Sequence, residues 1–471
     1  MIKEIPLLIE NGTIVTDETS FKGDILVEEG KISDIGSGLQ IPSAGVEVID
    51  ASDLYVFPGG VDPHVHMEMP AGNGIYTADD FESGTYAALR GGTTSIIDFV
   101  TPERGRSLDE ALRERKKIAE KSLCDYGFHM AITSWNDNTP AEMKKCVDKE
   151  GITSFKVYMA YQDTIGLGDA AIIKVMEAAV DANALVIIHC EHSAAINYLQ
   201  KKFLGQGKKS PKYHPLSRPP DVEKEAVIRA LMLARVTNCP LYIVHVSTKE
   251  AIEEIAEARE NGQKVLSETC PHYILLDEKN YSLPGFAGAA YVMSPPLRTG
   301  KHAGALWKAL KKEDLQVIST DHCSFNMKDR QKAGAHDFTK IPGGVAGVEN
   351  RLSLLYTYGV LQKKMSINRF VELTSTAPAR IFGLYPRKGT IKIGSDADIL
   401  VWDPTHKGVI SAKTHGYKCD TNIYDGFPIK GKPNMVILGG KIAYEDDAVQ
   451  LEKGAGRYLS RQPFSMEGEE F

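Results

Sequence analysis

At 471 residues the chain is too long for one ordinary domain, unless that domain is a large α/β barrel. Its 42% hydrophobic and 25% charged residues are a globular composition, and a net charge of -7 argues against a nucleic-acid or anionic-membrane partner. No stretch approaches the roughly 18 apolar residues of a membrane span. The opening "MIKEIPLLIENGTIV" carries no apolar h-region of a signal peptide. The seven cysteines are odd in number, scattered and without a CxxC pair, which reads as reduced thiols in a cytoplasmic protein.

In chain order, the first segments "LLIENGTIV", "GDILVEEGKISDIG" and "VEVIDASDLYVFPG" alternate apolar and polar residues between Gly and Asp turns, as strands do. "KGTIKIGSDADILVWDP" and "NMVILGGKIAYEDD" repeat the pattern near the other end. The expectation is a small β-sandwich domain built from both termini, residues 1–56 plus 386–471. Between them, residues 57–385 alternate strand-like and helix-like segments. Short apolar runs occur in "LYVFPGGVDPHVHME", "SIIDFV", "YGFHMAIT", "SFKVYMA", "ALVIIHCEH", "PLYIVHVS", "VLSETC" and "LQVISTDHC". The intervening helices are amphipathic. In "DAAIIKVMEAAV", Ile172, Ile173, Met176 and Val180 share a face. In "STKEAIEEIAEARENG", Ser247 and Glu250 have capping-box spacing and Gly262 provides the stop. Eight strands alternating with helices predict a parallel (β/α)8 barrel of the TIM type.

Polar residues mark the ends of those strands. His64 and His66 stand two apart on the first, which puts both imidazoles on one face. Lys156 interrupts the fourth, His189 and His245 end the fifth and sixth, and Asp321 ends the eighth. In a barrel all of these converge at the C-terminal mouth, where active sites form. Imidazoles with a carboxylate suit zinc. His129, His192, His272 and His322 read instead as hydrogen-bonded core or rim residues. Lys156 has three donors and no acceptor, so as an ammonium it cannot bind a metal. A buried lysine loses its proton easily. The neutral amine can take up carbon dioxide and become a carbamate with two metal-binding oxygens. The alternative is an ion pair with a barrel carboxylate such as Asp321.

These motifs resemble the amidohydrolase superfamily, and within it the hydantoinases and dihydropyrimidinases, over nearly the whole chain. "FPGGVDPHVHMEMP", "GITSFKVYMAY", "YHPLSRPP", "ETCPHYILLD", "SPPLR", "TDHCSF", "DFTKIPGG" and "IFGLYPRKGTI" occur in the family's order. The resemblance implies two Zn2+ per subunit. His64, His66 and Asp321 would hold one, His189 and His245 the other, with N6-carboxylated Lys156 as the bridge. It implies that Tyr161 hydrogen-bonds the developing oxyanion and that the main chain at Ser294 anchors the ring amide. The family's second anchor is often an asparagine in "IPNG"; here the text is "IPGG", with Gly343. Met69 and Tyr158 resemble pocket-lining positions. The implied reaction is hydrolysis of 5-substituted hydantoins or dihydropyrimidines to N-carbamoyl amino acids by a di-zinc-bound hydroxide, with Asp321 shuttling the proton. The implied assembly is a homotetramer acting on a small cyclic ureide.

Allantoinase and dihydroorotase-like activities are the alternatives within the superfamily. Dihydroorotases follow HxH with an arginine that grips an acidic substrate; here Met67-Glu68-Met69 follows, and Glu68 would repel an anion if it faced the pocket. A non-catalytic scaffold like the collapsin response mediator proteins is disfavoured, because those proteins lack the metal ligands.

Overall fold

The computed structural model describes residues 5–39, 45–72 and 74–465. Its centre is a parallel sheet of eight strands, here β1 (Gly60–Val65), β2 (Thr93–Val100), β3 (Asp125–Ala131), β4 (Ser154–Tyr158), β5 (Leu185–His189), β6 (Leu241–Ile243), β7 (Val265–Thr269) and β8 (Val317–Ile318). Each pairs with its sequence neighbour, so strand order follows chain order. The sheet curls until its edges meet. Val65 and His322 form a parallel bridge, and the Asp62 carboxylate on β1 accepts from both the amide and the hydroxyl of Thr320, just past β8. Helices lie between consecutive strands, so this is a TIM-type (β/α)8 barrel. The strands are buried on both faces, which accounts for their unbroken apolar runs.

A second sheet is built from both ends of the chain. Its hydrogen-bonded path runs Lys31–Gly36, Ser20–Glu28, Leu7–Val15, Tyr55–Pro58, Ile399–Val409, Pro428–Leu438, Lys441–Glu445 and Ala448–Val449, with Glu47–Asp50 beside Leu7–Val15. N- and C-terminal halves join where Tyr55–Pro58 pairs antiparallel to Ile399–Val409. Its own apolar core contains Ile9, Ile25, Val56, Ile399 and Ile437. After this sheet the chain returns to the barrel. The Tyr126 amide donates to Arg457, the Leu459 amide to Tyr126, and the buried Arg461 guanidinium reaches the Ser154 hydroxyl at the start of β4.

The helix after β6 begins one residue later than the sequence pattern predicts. It spans Lys249–Glu260 with Thr248 as its cap, the Thr248 hydroxyl accepting from the Ala251 amide. Ser247 is taken elsewhere: both its amide and its hydroxyl donate to buried Glu223. In the helix Asp169–Asp181, Ile172 and Met176 are buried, while Ile173 and Val180 lie at the margin.

Candidate metal and substrate site

The C-terminal mouth gathers the marked residues. His64 and His66 flank the end of β1 with ring centroids 5.2 Å apart. Their Nε2 atoms lie 3.3 Å and 3.2 Å from Asp321 Oδ1, and ligand atoms of the three residues fall within 4.8 Å of one another. His189 Nδ1 and His245 Nε2 approach to 2.9 Å, so two more nitrogens aim at one point. Burial lowers the basicity of His66, His189 and His245, which favours the neutral, ligating imidazole. Burial works the other way on Asp321, yet the imidazoles of His64, His66 and His245 hold it ionised.

Two sequence expectations need adjusting. β6 stops at Ile243 and β8 at Ile318, so His245 and Asp321 sit in the turns beyond rather than on the strands. Both have left-handed backbone, φ 40° and 48°, as does Tyr161 at 58°. A non-glycine residue held there costs about 1–3 kcal/mol, and such strain concentrates where side chains are aimed for function.

Lys156 lies in the middle of β4 with 1% of its surface exposed. Its ammonium faces the rings of Phe99 and Tyr158, each 5.2 Å away. Among the described residues it has no ion-pair or hydrogen-bond partner, so the expected alternative, a pair with Asp321, does not form. Burial pushes its pKa down to about 8 against the pull of Glu268 and Asp321. The donor set therefore fits metal ions: three ligands at one point, two at another, and an unpaired buried amine near both.

Outer partners fix the ligands. The ring of His64 turns Nδ1 to Glu268, which also accepts from the Tyr242 hydroxyl at 2.8 Å. His189 Nε2 lies 2.8 Å from Glu191. Such carboxylate–histidine contacts set tautomer and ring angle at metal sites. Sequence reading missed both. Glu268 was detectable, because it is a charge inside an apolar strand, the same anomaly that marks Lys156.

Of the four histidines assigned to core or rim, three fit. His129 contacts Ser154 Oγ at 2.6 Å and the Pro63 carbonyl at 2.8 Å, His192 Nδ1 caps a helix by accepting from Ala195, and His322 Nδ1 accepts from Gly347. His272 differs. Its Nε2, like that of His322, is buried with no hydrogen-bond partner among the described residues, its ring lies 4.2 Å from that of Tyr273, and burial brings its pKa down to about 4.

Of the residues expected to bind substrate, Tyr158 and Tyr161 lie beside His189. Tyr161 has its ring 5.3 Å from that of His189. Tyr158 lies 6.3 Å from Tyr161. Met69 packs on Ile75, Cys323 and Phe325, an apolar cluster beside Asp321. Gly343 follows Pro342 in a loop held by Arg330, whose buried guanidinium donates to the carbonyls of Ala289, Val292, Pro342 and Gly344. Glu68 faces away: it pairs with Lys121 at 2.6 Å, so its repulsion of an anion does not operate.

A closed α/β barrel carrying imidazoles and a carboxylate at its C-terminal mouth defines a class, the metal-assisted barrel hydrolases. Within that class, the model of the amidohydrolase family matches residues 55–443. The chain is 45% identical to a D-hydantoinase from Geobacillus stearothermophilus over 458 residues, 97% of each chain. It is 42% identical to a dihydropyrimidinase from Rattus norvegicus, covering 98% of this chain and 89% of that one. The crystal structure of dihydropyrimidinase from Brevibacillus agri superposes with a TM-score of 0.96 at 42% identity, over 98% of this chain and all of that one. The chain belongs to the amidohydrolase family, in its hydantoinase and dihydropyrimidinase branch, and is a cyclic amide hydrolase.

Proposed function

We propose that the protein opens neutral cyclic ureides, 5-substituted hydantoins and dihydropyrimidines, to N-carbamoyl amino acids. The observation that carries this reading is Lys156, buried and without a side-chain partner among the described residues, on the strand that pairs with the one ending in His189, in a barrel that gathers two clusters of metal-type donors. As an N6-carboxylated side chain it would bridge two zinc ions, with His64, His66 and Asp321 on one side and His189 and His245 on the other. Bound metals there would acidify a water for attack and polarise the ring carbonyl. Asp321, held ionised, accepts the proton of the attacking water and delivers it to the ring nitrogen as the C–N bond breaks. Tyr161 donates its hydroxyl to the developing oxyanion. Main-chain groups at Ser294 and Gly343 orient the ring amide, and Met69 and Tyr158 border the exocyclic substituent, where an apolar wall suits an uncharged group.

The substrate is neutral on this reading because no arginine follows His66 and the Arg218 guanidinium is committed to Glu191. Identity to a D-hydantoinase favours the D enantiomer. We further infer a homotetramer acting in the cytoplasm, and a division of the chain into a barrel of residues 57–385 and a β domain of residues 1–56 plus 386–471. Among the described residues no helix is long and apolar enough to cross a membrane. The test is a hydrolysis panel of dihydrouracil, hydantoin, 5-phenylhydantoin, dihydroorotate and allantoin, with elemental analysis of the same sample. The expected result is turnover of the first three and about two metals per chain. Turnover confined to dihydroorotate or allantoin would overturn the substrate assignment. Full activity with one metal would overturn the binuclear site.

A further inference from the structure

Arg218 follows the short turn Pro215–Ser217 and precedes Pro219 and Pro220, which open a helix. Only 6% of it is exposed. A buried arginine that served only to neutralise a carboxylate would be expected to grip it with both terminal nitrogens. This one does not. It gives one terminal nitrogen to Glu191, and its Nε is buried with no hydrogen-bond partner among the described residues. The guanidinium carbon instead lies 5.7 Å from the centre of the Tyr161 ring, where the cation faces the aromatic side chain. Glu191, the shared anion, is the carboxylate that meets His189 Nε2 at 2.8 Å.

The backbone of Arg218 is held as firmly as its side chain. Its carbonyl accepts from Arg298, four residues past Ser294. Arg298 pairs with Glu223 at 3.1 Å and donates to the Ser247 hydroxyl, two residues past His245. The loops carrying His189, His245, Tyr161 and Ser294 therefore meet on two buried arginines.

We propose that Arg218 is a positioning residue that sets the Tyr161 hydroxyl and, through Glu191, the ring of His189 together, so that oxyanion donor and metal ligand are aligned by one guanidinium. This rests on the reading of Tyr161 and His189 given under the proposed function. Lysine would retain the charge but not the planar fork that serves both neighbours.

The test compares Tyr161→Phe, Arg218→Lys, their double variant and Glu191→Gln. The readouts are kcat and KM on whichever ureide the panel shows to be turned over, and Zn2+ binding to metal-free protein by calorimetry. Arg218→Lys should lower kcat about 10- to 100-fold with KM nearly unchanged, and weaken Zn2+ binding about 10-fold. Glu191→Gln should weaken Zn2+ binding similarly, whereas Tyr161→Phe should leave it intact. In the Tyr161→Phe background, Arg218→Lys should cost little further kcat but still weaken Zn2+ binding. Independent, multiplicative losses of kcat would overturn the coupling, as would an undiminished kcat in Arg218→Lys beside an impaired Tyr161→Phe. Undiminished kcat in Tyr161→Phe would instead remove the reading of Tyr161 itself. If Arg218→Lys does not fold, Glu191→Gln carries the test, and unchanged Zn2+ affinity in it would overturn the proposal.

Discussion

Two aromatic rings face the amine of Lys156, and no anion among the described residues lies within pairing distance of it. Burial brings its pKa down to about 8 against the pull of Glu268 and Asp321, so the uncharged, reactive amine is easier to reach near neutral pH than for an ordinary lysine. Lys156→Ala should then lower activity by more than the roughly 10- to 100-fold typical of outer metal partners, with the fold intact. Acetate or propionate should restore part of the turnover by supplying the missing carboxylate. Full activity in Lys156→Met would contradict a bridging role. Gly343 poses a second question at this scale, because the family's common asparagine is replaced. A Cβ there would sit 3.8 Å from Met293 Cα and 3.9 Å from the Val292 carbonyl, an ordinary contact. Gly343→Asn should therefore change stability by less than about 0.5 kcal/mol, read by urea unfolding. Gly344 is the position that requires glycine: at φ 148° its Cβ would lie 2.4 Å from the Cys323 carbonyl. Arg330 already ties this loop, through the carbonyls of Pro342 and Gly344, to those of Ala289 and Val292, so the loop is braced without the asparagine.

Strands and helices of the barrel were legible because their signals are local. Buried strands read as apolar runs, and a charge such as Lys156 inside one is conspicuous. Where long-range contacts compete with a local rule, the rule slips. Ser247 and Glu250 have capping-box spacing, but Glu223, 24 residues upstream, captures Ser247 and passes the cap to Thr248. Thr248→Ala should cost about 1 kcal/mol of stability by urea unfolding, the usual value for a lost cap. Ser247→Ala should cost more, because it takes one hydrogen bond each from buried Glu223 and Arg298. Arg218 and Arg330 were illegible for the same reason. Arg218 stands just past the turn Pro215–Ser217 and Arg330 inside the helix Met327–Gly334, and their partners come from segments that only the fold brings near. The left-handed turns at His245 and Asp321 are only weakly marked in residue type: histidine and aspartate are enriched in that region, but neither is diagnostic of it.

At the scale of the whole molecule, a buried ion cluster joins the second sheet to the base of the barrel. Lys388 is 1% exposed and lies 2.7 Å from Asp125 on β3, 3.0 Å from Asp396 and 2.6 Å from Asp398 beside the strand Ile399–Val409. Arg457, in the segment returning to the barrel, adds contacts of 2.8 Å to Asp125 and 3.1 Å to Asp396. Burial opposes ionisation of Asp125 and Asp396, but Lys388 outweighs it and both stay below the ordinary carboxylate range. Their contribution to stability is therefore present above about pH 4 and is lost as pH falls through their lowered values. Asp398 goes the other way, raised by burial, and takes up its proton first as pH drops. Lys388 itself is raised by the three carboxylates, so its contribution is complete below about pH 10 and is lost as pH rises through its folded value. Replacing it leaves buried anions with too little counter-charge. Lys388→Met should cost about 3–5 kcal/mol at pH 7, measured as the shift of the first urea transition. That difference from the unsubstituted protein should shrink below about pH 4, because protonated carboxylates no longer need the cation. A cost that stays constant down to pH 3 would mean that Lys388 acts through packing and not through charge.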